Sequence, residues 1–382
     1  MTARRAKPGG VPGAHSVDSK AASPSRAQVF FMRPPQRFLL LLLFPLLSLL
    51  GGCRKPTPPK PVLSHGAELY GRICAVCHGA NGEGYKADQA PRLAQPDFQA
   101  SVTDAYLREA IEHGRAGTTM SSWSKERGGP LSPQDIDELI RFLRTWRKGQ
   151  AVLDERPLSG DVRRGEDLYA RECFRCHGVR GVGGPNVHIG NPQILTSASD
   201  GFLRYAIQRG RPGTQMPAFS QTLGDAGIED VTALLRSWAL PPAPPPPPPP
   251  PSPIPLGPVP LNPKGPDPVG FKMTPATTPM AVIHAELARG ARMAFLDARA
   301  PSDYMDRHIA GAVSVPFYAP GPYLAKLPKN SWLVCYCACP HAESGSLAAK
   351  LVEAGFKKVT VLDEGLGAWA NKQYPIHTGE KP

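Results

Sequence analysis

The 382-residue sequence lacks an apolar run long enough for an ordinary membrane-spanning helix. The run from Phe38 to Leu50 is interrupted by Pro45 and Ser48, whereas a span takes about 20 apolar residues. The run is therefore short for a membrane anchor, and its length is typical of the apolar region of a secretory signal.

Acidic residues are also in short supply, and the formal net charge is +12. The first 52 residues contain seven Lys or Arg and one Asp, so the rest of the chain carries only about +6. This modest positive balance favours docking to partners with acidic surfaces. It gives no reason to expect a nucleic acid as a partner.

Cysteine is scarce, with eight residues, and four of them lie in two copies of one motif. The copies are Cys74-Ala75-Val76-Cys77-His78 and Cys173-Phe174-Arg175-Cys176-His177. Two thiols three positions apart on one helical turn, followed by an imidazole, suit covalent attachment of haem through two thioethers, with the histidine on the iron. A single copy would also fit a disulfide, a redox dithiol or half of a zinc site.

The repeat extends well beyond the motif, as is typical of two copies of one structural unit. Each copy has one methionine after its histidine, Met120 or Met216, at the same repeat position. Each copy ends with apolar residues at helical spacing. The matching stretches are His65–Tyr70 with Arg164–Tyr169, Ile111–Met120 with Ile207–Met216, and the predicted helices Pro133–Trp146 and Ala226–Trp238.

Both units resemble class I cytochrome c domains, over residues 62–150 and 160–240. The resemblance implies two all-α domains, two covalently bound haem c groups, and a histidine and a methionine as the axial ligands of each iron. His113 and His188 are rival ligands, but neither has a histidine counterpart in the other unit. The residues assigned in this way are the haem-attaching Cys74, Cys77, Cys173 and Cys176 and the ligand pairs His78 with Met120 and His177 with Met216.

The segment before the first unit has the pattern of a secretory signal. Arg33 and Arg37 precede the apolar run, which ends in Leu-Gly-Gly followed by Cys53. This ending resembles the lipobox of bacterial lipoproteins, which implies that Cys53 is lipidated and becomes the new N-terminus. An uncleaved anchor helix with an incidental cysteine is the alternative.

We expect residues 1–52 to be a leader with its true start at Met32, and residues 53–61 to be a short tether. The residue after Cys53 is Arg54 and not an acidic residue, which favours the outer membrane. Both interpretations of the signal place the domains in the periplasm, where c-type haem is attached in bacteria. The partners expected there are other redox proteins.

Proline dominates the stretch after the second unit, with 17 prolines in the 28 positions 241–268. Proline fixes φ and removes the backbone donor, so polyproline II is the regular form open to this stretch. We predict a stiff linker over 241–274, whose proline-rich part extends on the order of 85 Å. A ligand for a proline-binding module is the alternative.

Residues 275–380 alternate short strands and helices, a pattern that predicts a parallel α/β sheet. The predicted strands are Ala294–Asp297, Trp332–Tyr336 and Val359–Leu362, with a helix from Ser344 to Ala354. This part resembles the rhodanese family, through the signature Asp297-Ala298-Arg299 with His308-Ile309-Ala310-Gly311-Ala312-Val313 and the closing motif Leu362-Asp363-Glu364-Gly365-Leu366-Gly367-Ala368-Trp369.

The resemblance makes Cys337 a persulfide nucleophile and directs attention to its loop. Cys339 is a candidate resolving thiol; a strained disulfide, a soft-metal site with His341 and a binding-only loop are the alternatives. The family commonly has an arginine before the helix, where this chain has Ala342 and Glu343. An acidic residue beside the sulfur disfavours the thiolate and makes thiosulfate a doubtful donor.

The sequence therefore predicts a multidomain chain: two all-α cytochrome c domains followed by an α/β rhodanese-like domain with a parallel sheet. The preferred function is an envelope-anchored diheme cytochrome that relays electrons, with sulfurtransferase-like handling of a small sulfur compound at Cys337. The alternative is a general respiratory carrier whose last domain is a non-catalytic docking module. Haem-based sensing would need an exchangeable axial position, which the two methionines argue against.

Overall fold

The computed structural model describes residues 63–85, 87, 90–239, 254, 256–338 and 341–382. The predicted leader, Cys53, the tether, most of the proline run and Cys339 lie outside these residues. Residues 61–382 form one unit of mutually contacting domains. Within the described ranges, none of the helices is long and apolar enough to cross a bilayer.

The first unit is helical, and its helices begin where side chains cap free backbone amides. Ser64, Thr103 and Ser132 each accept a hydrogen bond from an amide in the first turn of the helix that follows, which satisfies donors that would otherwise lack partners. The elements are α1 (His65–Leu69), a π-helical turn (Tyr70–Cys74), α2 (Ala75–His78), α3 (Pro96–Ser101), α4 (Asp104–His113), a 3₁₀ turn (Lys125–Arg127) and α5 (Pro133–Arg144).

The second unit repeats the order of the five α-helices, and Ser199 caps its fourth helix as Thr103 does in the first unit. Its last helix bends at Gly224, where φ is +60°. The final helices that the sequence predicted are therefore present in both units, with earlier ends than expected. The elements are α6 (Val162–Glu172), α7 (Phe174–His177), the hairpin β1 (Gly178–Val179) and β2 (Val182–Gly183), α8 (Pro192–Ser197), α9 (Asp200–Arg209) and α10 (Ser220–Ser237).

In each unit the first and last helices cross at a glycine. A Cβ added to Gly66 would lie 2.1 Å from the carbonyl oxygen of Glu138, and one added to Gly165 would lie 2.3 Å from that of Asp230. Only a residue without a Cβ allows the two backbones to approach so closely. This contact explains the glycine that the two repeats share four residues before the tyrosine.

The C-terminal domain is built on a five-stranded parallel sheet in the order β3-β8-β7-β4-β6. Its central strands are buried on both faces by helices, as parallel sheets require. The elements are β3 (Thr277–Thr278), α11 (Met280–Ala288), β4 (Met293–Asp297), α12 (Pro301–Asp306), β5 (His308–Ile309), β6 (Val313–Ser314), α13 (Gly321–Leu324), β7 (Trp332–Tyr336), α14 (Ala342–Glu353), β8 (Val359–Leu362), α15 (Gly365–Asn371) and β9 (Ile376–His377).

The predicted fold class is confirmed: helical cytochrome-type units are followed by an α/β domain with a parallel sheet. The three predicted strands are present, one of them a residue longer at its start, and the predicted helix is α14. The short strands β3 and β6 and the antiparallel pair β5–β9 did not stand out in the sequence. They have two residues each, which is too few to show a periodic pattern.

The described part of the proline-rich stretch differs from the predicted extended spacer. Leu261 and Met293 exchange backbone hydrogen bonds of 2.7 and 3.3 Å, because β6 pairs with only the last two residues of β4 and leaves its start open. Val259 is buried, and Arg292 donates to Asp267 at 2.8 Å. The described residues of this stretch thus pack on the α/β domain.

Replacing Gly66 by alanine should destabilise the first unit by about 1 to 3 kcal/mol, because the new Cβ forces two helices apart. Gly71, in the same helical segment, has no atom within 4 Å of its would-be Cβ, so Gly71→Ala should be neutral or stabilising by up to about 1 kcal/mol. Chemical denaturation followed by circular dichroism measures both. Equal stability of the two variants would contradict the crossing.

Candidate haem and sulfur sites

Each pair of motif cysteines is held at the end of the first helix by a tyrosine. Tyr70 donates from its hydroxyl to the carbonyl of Gly79 at 2.7 Å, and Tyr169 donates to Gly178 at 2.8 Å. Both tyrosines precede the first motif cysteine by four residues and bind the residue directly after the histidine. The tyrosine therefore closes the loop that contains both thiols. Its hydroxyl stays protonated, because burial raises the pKa of Tyr169 to about 12.

The six cysteines among the described residues form no disulfides with one another. Burial raises the pKa of Cys74 to about 12 and that of Cys173 to about 11. The four motif thiols are partly buried, in the turns where a haem would be attached through thioethers.

The two motif histidines have the same environment. Nδ1 of His78 lies 3.0 Å from the carbonyl oxygen of Pro91, and Nδ1 of His177 lies 2.9 Å from that of Val187. A carbonyl only accepts, so Nδ1 is the protonated nitrogen and Nε2 is left for a metal ion. Burial lowers the pKa of both imidazoles, which favours the neutral form that ligates metals.

The loop before Met120 is shaped by three hydrogen bonds. The amide of Arg115 donates to the carbonyl of Met120 at 2.8 Å, the hydroxyl of Thr118 donates to the carbonyl of Arg115 at 2.7 Å, and the amide of Met120 donates to that hydroxyl at 3.1 Å. The side chain of Met120 is partly buried against the core. The rival ligand His113 instead lies 2.8 Å from Glu109.

The second unit reproduces the same loop. The corresponding bonds are Arg211 to Met216 at 2.9 Å, Thr214 to Arg211 at 2.7 Å and Met216 to Thr214 at 3.2 Å. Gly114 and Gly210, just before the arginines, have φ of +65° and +64°, a backbone conformation that favours glycine. The structure thus presents two methionines in equivalent, internally braced loops.

The arginines of these loops fit a bound haem. Nη1 of Arg115 and Nη1 of Arg211 are buried and have no hydrogen-bond partner among the described residues, a costly arrangement for a cation. Arg115 lies over the ring of Tyr106 at 4.9 Å and Arg211 over that of Phe202 at 5.3 Å. Carboxylates such as haem propionates are the natural partners of such donors.

The two units face each other through these same loops. Asn191 donates to the carbonyl of Ala116 at 2.8 Å, and Gln95 donates to that of Pro212 at 3.4 Å. Both donors are helix N-caps, of α8 and α3. The rings of Tyr106 and Phe202, at equivalent repeat positions, lie 5.4 Å apart between them. Each methionine loop therefore touches the other unit, in a pseudo-twofold arrangement.

Cys337 follows β7 and is almost completely buried, with 1% of its surface exposed. Its Sγ lies 3.3 Å from the hydroxyl of Ser344 in the first turn of α14. His341, which precedes that helix, has a φ of +69° and pairs with Asp363 at 2.9 Å. The sequence left the orientation of His341 open, and the structure places its Nε2 beside Asp363, which directly follows β8.

The loop environment of Cys337 is acidic. Glu343 is 5% exposed, and burial raises its pKa well above the usual value, with Cys337 and Asp303 adding to the shift. Arg299 is a nearby cation, but its Nε and Nη2 donate to the two carboxylate oxygens of Asp297, at 2.9 and 2.6 Å. Cys335 is completely buried, as expected of an inert thiol, and burial raises its pKa strongly.

Sequence reasoning missed the tyrosine hydroxyls, the threonine braces and the arginines as parts of the haem sites. All three lie at matched positions of the two repeats, so the signal was present. These residues brace the backbone or stack on a ring and lie outside the CxxCH and methionine pattern from which the sites were predicted. The packing of the α/β domain against the first unit had no comparable signal.

The fold and the sites define a chain of two c-type cytochrome domains followed by a rhodanese-like domain, and comparison with known proteins agrees. The family described as "Cytochrome C oxidase, cbb3-type, subunit III" matches residues 61–143 and 160–235. The family described as "Rhodanese-like domain" matches residues 281–372. Cytochrome c domains imply covalently bound haem c.

Individual relatives match parts of the chain. The cbb3-type cytochrome c oxidase subunit CcoP of Azospirillum sp. is 28% identical over 46% of this chain and 62% of its own. The probable adenylyltransferase/sulfurtransferase MoeZ of Mycobacterium tuberculosis is 35% identical over 23% of each chain. The reducing HAO-like protein complex of Kuenenia stuttgartiensis is 21% identical, covering 48% of this chain and 99% of the other, with a TM-score of 0.32. The chain spans about 60% of the length of the CcoP relative.

Removing the buried carboxyl of Glu343 should change how stability depends on pH. The pKa of Glu343 in the folded protein lies above its unfolded value of 4.5, so the folded state holds this proton more tightly. The stability that this contributes is complete below about pH 4.5 and is lost as the pH rises towards the folded pKa. Glu343→Gln should therefore be more stable than the wild-type protein at neutral pH and lose this advantage below about pH 4. Denaturant titrations across that range measure the difference, and parallel curves would refute the assignment.

Proposed function

We propose that this chain is an extracytoplasmic electron carrier with two covalently bound haem c groups, one in each cytochrome domain. Cys74 and Cys77 attach the first haem, and His78 and Met120 are its axial ligands. The second haem has the corresponding residues Cys173, Cys176, His177 and Met216. The observation that carries this proposal is the duplicated geometry: both units hold the histidine by Nδ1 and the methionine loop by the same three hydrogen bonds.

A bound haem supplies a one-electron redox couple, and the residues of the chain determine its properties. Histidine with methionine raises the reduction potential relative to two histidines and leaves no open axial position for a substrate. Arg115 and Arg211 would neutralise propionate charge at the contact between the units. Since both methionine loops lie in that contact, electron exchange between the two sites is the expected consequence.

Intact-mass measurement of protein expressed in an oxidising compartment should show two added macrocycles. Replacing Cys74 and Cys77 by serine should remove one of them, and replacing Cys173 and Cys176 should remove the other. Visible spectroscopy of the reduced protein should change in step, and carbon monoxide should not bind to the doubly loaded protein. A colourless product, or a mass without added macrocycle, would end the proposal.

For the rhodanese-like domain we propose sulfurtransferase-like chemistry. The thiolate of Cys337 attacks the outer sulfur of a donor persulfide, the S–S bond of the donor breaks, and the donor leaves as its thiol; Cys339 is a candidate resolving thiol. The placement of Cys337 at the end of β7, before the N-terminus of α14, supports this role, since helix amides stabilise an anionic sulfur. Because Arg299, the cation near the loop, is bound to Asp297, a small donor of low charge is favoured over the dianion thiosulfate.

A second candidate function is a general respiratory carrier whose last domain only docks. The specific observation in its favour is the loop: Arg299, the cation beside it, is engaged by Asp297, and the sulfur of Cys337 is nearly inaccessible. In this version Cys337 has no catalytic role, and the domain serves as a rigid contact surface.

The proposed location is the periplasmic face of a bacterial membrane, with Cys53 as the lipidated residue and the outer membrane favoured. The lipobox-like sequence and the haem motifs support it together, because both require export. The proposed partners are periplasmic redox proteins, which a cytochrome related to oxidase subunits would need.

Haem reduction by a hydropersulfide donor tests the sulfur role. The Cys337 persulfide would give one electron to each ferric haem and, after two electrons, bond to the sulfur of a second donor persulfide as a polysulfide with loss of a proton. Wild-type protein should therefore be reduced at least about tenfold faster than Cys337→Ser, because the serine forms no persulfide. Reduction of both proteins by dithionite is the control that their haem sites are equally intact. Equal rates with the sulfur donor would favour the docking module.

A further inference from the structure

The α/β domain packs against the first cytochrome domain through the edge of its sheet that carries Cys337. The strands β4, β6 and β7 end at this edge, as parallel strands do. Asp303, which lies in α12 just after β4, accepts a hydrogen bond from the hydroxyl of Ser121. Ser121 directly follows Met120, so the carboxylate touches the methionine loop.

Aromatic side chains extend this contact. The ring of Trp123 lies 6.4 Å from that of Phe317 and 5.8 Å from that of Tyr318, edge to face in both cases. Trp123 is 6% exposed and Phe317 1% exposed, so this part of the contact is dry. Phe317 and Tyr318 follow β6 in the chain.

The helix that follows the cysteine loop completes the interface. The helix α14, which begins beside Cys337, contacts α2, which contains the second haem-attaching cysteine and His78 of the first unit. Arg72, one turn before α2, is close enough to Tyr318 to act on its pKa, which burial raises. Both sides of the first haem site, the attachment helix and the methionine loop, therefore contact the α/β domain.

The second cytochrome domain has different residues at the equivalent positions. Pro217 stands where the first unit has Ser121, and Phe219 stands where it has Trp123. Pro217 is exposed, whereas Ser121 is buried. The two units share their haem-site residues but differ at the docking residues, which is expected if only the first unit receives the α/β domain.

We propose that the first cytochrome domain is the built-in redox partner of the Cys337 site, and that the second domain serves external partners. The docking surface consists of Ser121, Trp123 and α2 on one side and Asp303, Phe317, Tyr318 and α14 on the other. The redox role of this contact rests on the proposed function of the haem and sulfur sites. The docking itself is a property of the polypeptide.

Tyr318→Ala is the test variant, because Tyr318 lies on the α/β side and does not belong to either haem site. Tyr374→Ala is its matched control: that ring is half-buried in the same domain, stacked on His284 at 3.6 Å, in a separate aromatic cluster. Small-angle X-ray scattering of the full chain should show a larger radius of gyration for Tyr318→Ala than for the wild-type protein, and no change for Tyr374→Ala.

Spectroelectrochemical titration is the second readout. Loss of docking exposes the Met120 loop to water, which stabilises the ferric form of the first haem. In Tyr318→Ala one of the two midpoint potentials should therefore be lower than in the wild-type protein, and the other should be unchanged. Trp123→Ala should increase the radius of gyration. Phe219→Ala, the corresponding change in the second unit, should not.

The two proposals fail in different ways. If Tyr318→Ala and Trp123→Ala leave the scattering unchanged, the docking proposal is wrong while the haem assignment stands. If the wild-type protein carries no haem, and both variants still have a larger radius of gyration than the wild-type protein, the haem assignment is wrong while the docking of the α/β domain stands.

Discussion

The crossing of the first and last helices at a side-chain-free position is the contact on which each haem site depends. Because Gly66 and Gly165 let the backbones meet, the helix that ends in the cysteine motif has one orientation relative to the rest of its unit. Four residues further on, a tyrosine hydroxyl anchors the turn that contains the cysteines and the histidine. The attachment site is thus positioned by the helix packing of its unit.

The pseudo-twofold contact between the units places buried cations with unsatisfied donors close to both methionine loops. Arg115 and Arg211 are each stabilised by an aromatic face, but that leaves the donors at Nη1 without partners among the described residues. Burial lowers the pKa of Arg211, which shows the cost of keeping this cation from water. The same buried cation occurs in both units. The propionate groups of a bound haem would supply the missing hydrogen-bond acceptors.

Much of the architecture could be predicted from the sequence because it follows local rules. The repeated motif, the helical periods and the buried strand runs such as Trp332–Tyr336 depend on neighbours along the chain. The tertiary features could not be predicted in this way. The return of Leu261 to the start of β4 depends on an open sheet edge, and the contact of Trp123 with Tyr318 joins residues almost 200 positions apart. No periodic pattern reports such pairings.

The docked position of the α/β domain also bears on the charge of its loop. A carboxyl as buried as Glu343 favours its neutral form, and Asp303, next to it, is engaged by Ser121 of the cytochrome domain. Burial raises the pKa of Asp303, while the hydrogen bond from Ser121 of the first cytochrome domain lowers it. In an undocked domain water would reach Asp303, which would favour its charged form and disfavour an anionic sulfur on Cys337. The proposed docking would in this way also affect the charge beside the proposed sulfur site.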